Sequence, residues 1–168
     1  MNAVVIYYSK TGFSRTYAKW ISEELCCEAV SYEDREKVRL ENYDTVIFGG
    51  GFHAGSINGL KWFKGKIPDI KGKKIVVFGT GAMPPDAPDV EKTMRANFSE
   101  EEYRQVKTFY LWGGLNYEKM SFGDKLMMAV FRKMLKMQGQ DEQLKMVSAS
   151  YDRASRDYLA PLLDFCKK

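Results

Sequence analysis

The residues best suited to chemistry form a short loop, Ser9-Lys10-Thr11-Gly12-Phe13-Ser14, between an apolar run and an amphipathic stretch. A helix N-terminus presents unpaired N–H groups and partial positive charge, so an anion seated there is stabilised. The hydroxyls of Ser9, Thr11 and Ser14 add donors, and Gly12 lets the backbone approach closely. Taken alone, such a loop reads more simply as a helix cap and turn than as an anion site. Its position shifts the balance: it follows the first strand of an alternating α/β chain, at the carboxyl end where such sheets bind ligands. The Gly-x-x-x-x-Gly-Lys-Ser/Thr and Gly-x-Gly-x-x-Gly spacings are missing, so a monophosphate is the better fit. His53 is the only histidine. It could transfer a proton near neutral pH, and an exposed loop residue without a chemical role is the plainer reading.

The elements that must position this loop can be read from apolar periodicity. Ala3–Tyr8 is a short apolar run, and Ala18, Ile21 and Leu25 then repeat at i, i+3 and i+7. The alternation continues with a weak strand near Glu28–Tyr32, a strong one at Thr45–Gly49 and a helix around Gly59–Lys64. A strand at Lys74–Gly79, helices between Asp89 and Arg104 and a fifth strand at Val106–Trp112 follow. Runs apolar on both faces and separated by helices indicate a parallel sheet covered on both sides. Lys119–Met137 reads as an extra amphipathic helix, Leu144–Ser148 as resumed extended structure, and Asp152–Lys167 as a final helix kinked at Pro161.

With 168 residues, the chain is expected to form one domain, 1–168, with an insertion at about 115–143. No leader-like or membrane-spanning pattern is apparent, so a cytoplasmic location is expected. Three cysteines, two of them adjacent, give neither a disulfide framework nor a metal-ligand spacing. The net charge of +4 is a weak bias toward anionic partners, and without a recognition motif it does not indicate nucleic acid. Tyr7-Tyr8-Ser9 stands where a response receiver would need clustered carboxylates, and no Gly-x-Ser-x-Gly elbow marks a hydrolase.

Ser9-Lys10-Thr11-Gly12-Phe13-Ser14 resembles the Ser/Thr-x-Thr-Gly-x-Ser/Thr phosphate loop of flavodoxins, in a strand, loop and helix order that extends over nearly the whole chain. The resemblance implies an α/β flavodoxin-like three-layer sandwich, with a five-stranded parallel sheet of order 2-1-3-4-5 and FMN at its carboxyl edge. Phosphate donors would fall on Ser9, Thr11, Gly12 and Ser14, with Lys10 and Phe13 contributing mainly backbone. The loops Gly50–Ser56 and Thr80–Pro84 would hold the isoalloxazine ring, which brings in Gly51, Phe52, His53, Ala54 and Gly55, and Thr80, Gly81, Ala82 and Met83. Phe52 and His53 are candidates to flank the ring, and a lone aromatic beside glycines is as often a packing residue. Trp112–Tyr117 would complete the wall.

Within the extra helix, Met127, Val130, Phe131, Met134 and Leu135 share one face and Lys125, Arg132, Lys133 and Lys136 the other. Such a helix can pack on its own domain, lie on an anionic membrane or adapt to an apolar ligand. Gly113-Gly114-Leu115-Asn116-Tyr117 followed by a basic, Met-rich helix is similar to the menaquinone-dependent protoporphyrinogen oxidase branch of the flavodoxin superfamily. That similarity implies an FMN-dependent oxidoreductase passing electrons from an apolar donor to a quinone, peripheral on the inner face of the membrane through Lys119–Met137. The alternative is a flavodoxin-type electron carrier that serves redox partner proteins and has no substrate of its own.

Overall fold

The computed structural model describes residues 2–168. In chain order, β1 (Ala3–Tyr8) leads to α1 (Phe13–Leu25) and β2 (Glu28–Ser31), and β3 (Thr45–His53) turns into the two-residue β4 (Ser56–Ile57). Next come α2 (Leu60–Lys66), β5 (Lys74–Gly81), α3 (Asp89–Arg95), α4 (Glu100–Gln105) and β6 (Lys107–Trp112). Beyond β6 lie β7 (Gly114–Leu115), α5 (Phe122–Met137), α6 (Asp141–Met146), β8 (Tyr151–Asp152) and α7 (Ala160–Lys167).

The main sheet runs β2-β1-β3-β5-β6, and every one of these pairings is parallel. Setting aside β4, a hairpin return of β3, this is the expected 2-1-3-4-5 order of a flavodoxin-like sandwich. Alternation along the strands sends Val4, Ile6, Val46 and Phe48 to the layer that contains Leu60 and Phe63 of α2 and Met94 of α3. Val5, Ile47, Val76 and Phe78 face the opposite layer, with Tyr17, Ala18 and Ile21 of α1 and Leu162 and Cys166 of α7. Each large apolar side chain fully buried in this way stabilises the fold by roughly 1.5–3 kcal/mol. The strands carrying these residues therefore hold their carboxyl ends, and the loops that follow, on a rigid base.

Several elements differ from the sequence expectation. The loop expected at Gly50–Ser56 is mostly strand, because β3 continues to His53 and pairs Phe52 with Ile57 and His53 with Ser56. Its two turn residues, Ala54 at φ 47° and Gly55 at φ 83°, are both left-handed, which suits the twist of a two-residue hairpin. Leu144–Ser148 is not extended: α6 covers Asp141–Met146, with Asp141 and Glu142 in its first turn and Lys145 in its last, matching the helix dipole. The final helix starts at Ala160, after β8 and a single 3-10 turn over Arg156–Leu159. Pro161 sits in the first turn of α7, where its missing N–H costs no helical bond, so it opens the helix instead of kinking it. The extra helix begins at Phe122, capped by Ser121, whose Oγ accepts the Asp124 N–H at 3.1 Å.

The insertion is closed at its neck by β7 and β8, which pair antiparallel, Gly114 with Asp152 and Leu115 with Tyr151. Among the described residues, no helix is long and apolar enough to cross a membrane, and no group of three or more His, Cys, Asp or Glu side chains could hold a metal ion.

Candidate functional site

The carboxyl ends of β1, β3 and β5 and the insertion enclose a cavity of about 520 Å³. Of the residues singled out in the three loops, all line it except Gly12 and Gly55. Gly12 is the N-cap of α1, with φ 106°, a conformation that glycine adopts without strain. It borders a smaller groove together with Asn116 and Lys119. Gly55 sits in the β3–β4 turn, where its carbonyl accepts from Asn97 Nδ2 at 2.9 Å.

The first turn of α1 carries no acidic residue, so nothing there opposes an anion. Ser9 Oγ accepts the Arg15 N–H at 3.2 Å, so this hydroxyl caps the turn and keeps its own hydrogen free to donate. Ser14 Oγ lies 2.7 Å from Thr80 Oγ1, and both groups are buried, which fastens the phosphate loop to the end of β5. The Thr11 carbonyl accepts from Asn116 Nδ2 at 3.3 Å, which brings the turn after β7 onto the same loop.

The loop after β5 is fixed by aromatic donors. The Ala82 carbonyl accepts from Trp112 Nε1 at 3.0 Å and from the Tyr151 hydroxyl at 2.6 Å, and the Met83 carbonyl accepts from the Tyr110 hydroxyl at 2.8 Å. Burial pushes both tyrosine hydroxyls above their ordinary range, which keeps them as neutral donors. Trp112 is thereby a structural prop of the wall. Phe52 lies across Gly79, where an added Cβ would come within 2.5 Å of its ring, and its centroid is 6.0 Å from that of Tyr110. It therefore packs on the core and lines the cavity at once.

His53 Nε2 lies 2.9 Å from Asp124 Oδ1, and the Ser121 hydroxyl donates to Asp124 Oδ2 at 2.8 Å. The bonds from Ser121 and then His53 hold the Asp124 carboxyl below its usual value. Asp124, in the first turn of α5, was not visible as a site residue in the sequence. Its only local mark is the Ser121-x-x-Asp124 cap spacing, and its partner comes from 71 residues away.

The Met-rich face of α5 is split by the structure. Met127, Met128 and Phe131 line the cavity and Leu135 is buried, whereas Phe122 (84% exposed), Leu126 (58%), Val130 (64%), Met134 (45%) and Met137 (80%) form an outward stripe. The cavity lining thus combines the hydroxyls of Ser9, Thr11 and Ser14 with apolar side chains of α5. A ligand that carries both an anionic group and an apolar body fits such a lining.

The sequence matches the flavodoxin domain family model over residues 4–142. No curated protein matches it. Among solved structures, two-electron reduced flavodoxin from Megasphaera elsdenii is similar, with a TM-score of 0.51 and 17% identity over 69% of this chain and 89% of that one. Oxidised flavodoxin 1 from Bacillus cereus gives a TM-score of 0.46 and 18% identity over 71% and 89%. A flavoprotein from Lactobacillus acidophilus in complex with FMN gives 0.45 and 15% over 66% and 91%. With a parallel sheet of order β2-β1-β3-β5-β6 and a family match across most of its length, this chain belongs to the flavodoxin domain family.

Proposed function

We propose that this chain is an FMN-binding oxidoreductase that passes electrons from an apolar hydrogen donor to a quinone-type acceptor, as protoporphyrinogen oxidase-like flavodoxin proteins do. The observation that carries the proposal is the composition of the cavity wall. The hydroxyls of Ser9, Thr11 and Ser14 and the apolar side chains Met127, Met128 and Phe131 of the insertion line one cavity, a combination suited to a flavin phosphate and a second, apolar ligand.

Ser9, Thr11 and Ser14 would hold the FMN phosphate together with the loop N–H groups, and Gly51, Gly81, Ala82 and Met83 would border the ring. Bound FMN supplies the electron transfer, and the chain supplies orientation and surroundings. His53 Nε2 lies 2.9 Å from Asp124 Oδ1, so the first turn of α5 holds this imidazole at the cavity lining as the group for proton transfer. On the outside of α5, the exposed apolar stripe beside Lys125, Arg132, Lys133 and Lys136 supports peripheral contact with an anionic membrane from the cytoplasmic side.

The test begins with the visible spectrum of the purified protein after excess FMN is added and removed, with the released cofactor identified by mass. FMN-loaded protein is then mixed anaerobically with a porphyrinogen as donor, and the bleached flavin with a quinone analogue as acceptor. Retained flavin that is bleached by the small apolar donor supports the proposal. Retained flavin bleached only by a reduced partner protein makes the chain an electron carrier, and a folded protein that retains no flavin rejects both.

A further inference from the structure

We propose that the first turn of the insertion, Asn116 to Lys119, is a clamp on the phosphate loop that makes the site selective for the phosphorylated flavin over riboflavin. The inference rests on the FMN reading above and deepens it, because it assigns part of the recognition to residues outside the Ser9–Ser14 loop.

Two independent contacts carry it. The first concerns the peptide between Thr11 and Gly12. Asn116 Nδ2 donates to the Thr11 carbonyl at 3.3 Å, and the Asn116 side chain is itself fixed by accepting the Lys119 N–H at 3.2 Å. In a trans peptide the C=O and the following N–H point in opposite directions. A Thr11 carbonyl drawn toward Asn116 therefore fixes the plane of the Thr11–Gly12 peptide, so that the loop is held in one conformation before any anion arrives. Gly12, at φ 106°, has the backbone freedom this conformation requires.

The second contact is a charge. Lys119 Nζ lies 3.5 Å from the position a Cβ on Gly12 would occupy, so an ammonium group rests against the loop. Among the described residues Lys119 has no ion-pair partner. The neighbouring carboxylate, Glu118, is engaged instead by the Ser150 hydroxyl at 2.7 Å, and this bond anchors the turn from its other side. A cation held at a loop suited to a dianionic phosphate favours the phosphorylated ligand and has no corresponding effect on riboflavin. At a separation of a few ångströms in high dielectric, one unit charge changes affinity by about three- to tenfold, and salt screens the effect.

The experiment is a fluorescence titration of the full chain with FMN and with riboflavin, at about 50 mM and about 500 mM salt, on either side of the condition where the Debye length is ~10 Å. Lys119→Met is expected to weaken FMN by about three- to tenfold at low salt and less at high salt, with riboflavin unchanged, while Lys119→Arg retains FMN affinity. Asn116→Ala is expected to weaken FMN at both salt concentrations, since it frees a peptide instead of removing a charge. Equal losses for both flavins, or an unchanged FMN affinity in Lys119→Met while the wild type still prefers FMN, overturns the clamp alone. A folded wild type that binds neither flavin overturns the FMN reading and the clamp together.

Discussion

Among the described residues, Ser14 and Thr80 make the only polar side-chain contact between the Ser9–Ser14 loop and the end of β5, and its strength can be measured apart from ligand binding. The residues are 2% and 4% exposed, so either hydroxyl left without its partner has little access to water. An unsatisfied buried hydroxyl costs about 1–3 kcal/mol, whereas removing both partners with shape retained is far milder. Ser14→Ala and Thr80→Val are each expected to cost within that range, and the double variant to cost less than their sum by about 1–2 kcal/mol. Urea unfolding of the flavin-free protein reads this directly, provided the denaturant slope is unchanged. The same variants separate stability from recognition. Ser14→Ala is expected to lose preference for FMN over riboflavin, while Thr80→Val keeps it, because the freed Ser14 hydroxyl can still donate to phosphate. Costs that add to within about 0.5 kcal/mol would refute the coupling, since independent sites behave in that way.

The Asp124 carboxyl, held below its usual value by Ser121 and His53, contributes stability at pH values above its unfolded value of about 3.9, and this contribution is lost as pH falls through the lower folded value. Asp124→Asn is therefore expected to be less stable at neutral pH and to converge with the wild type in acid; parallel stability curves across that range would exclude the linkage. Cys26 closes α1 in a left-handed conformation, φ 50° and ψ 49°, where glycine is favoured. Cys26→Gly is expected to add about 1 kcal/mol, a rise in Tm of about 2–4 °C. It should also remove the fast-reacting thiol at pH 8, because burial pushes Cys27 and Cys166 up to about 11. A lowered Tm, or an unaltered fast phase, would count against this.

How legible the molecule was depended on how local the determining physics is. β1 at Ala3–Tyr8 and the parallel, doubly covered character of the sheet followed from apolar runs that must be buried on both faces, whereas the strand order came only with the flavodoxin resemblance. Gly50 and Gly51 read as loop because glycine is disfavoured in strands, yet both belong to β3, where pairing with β1 and β5 satisfies their backbone. Leu144–Ser148 was misread because a short apolar run does not distinguish strand from helix, and the acidic pair that opens α6 lies just before it. At the cavity, the Ser9–Ser14 loop stood out in the sequence because its hydroxyls and its glycine are contiguous. The His53–Asp124 pair and the hold of Asn116 on Thr11 join residues 71 and 105 positions apart, and no local spacing encodes them. The two faces of α5 were merged for a related reason: helical periodicity gives the angle around an axis but not where the body of the protein lies.

The antiparallel pairing of β7 with β8 brings the chain back to the place it left, so residues 116–150 start and finish side by side. None of them belongs to either apolar cluster that holds the sheet. The segment can be excised or exchanged at that seam with every core contact of the sandwich left in place, and closing the gap with a short turn carries little entropic penalty. Whatever is spliced there inherits the cavity lining that β1, β3 and β5 supply, while the apolar wall of α5 and the lysine beside Gly12 leave with the excised piece. Selectivity for the second ligand and for the phosphate would then be replaced together, as one continuous piece of chain.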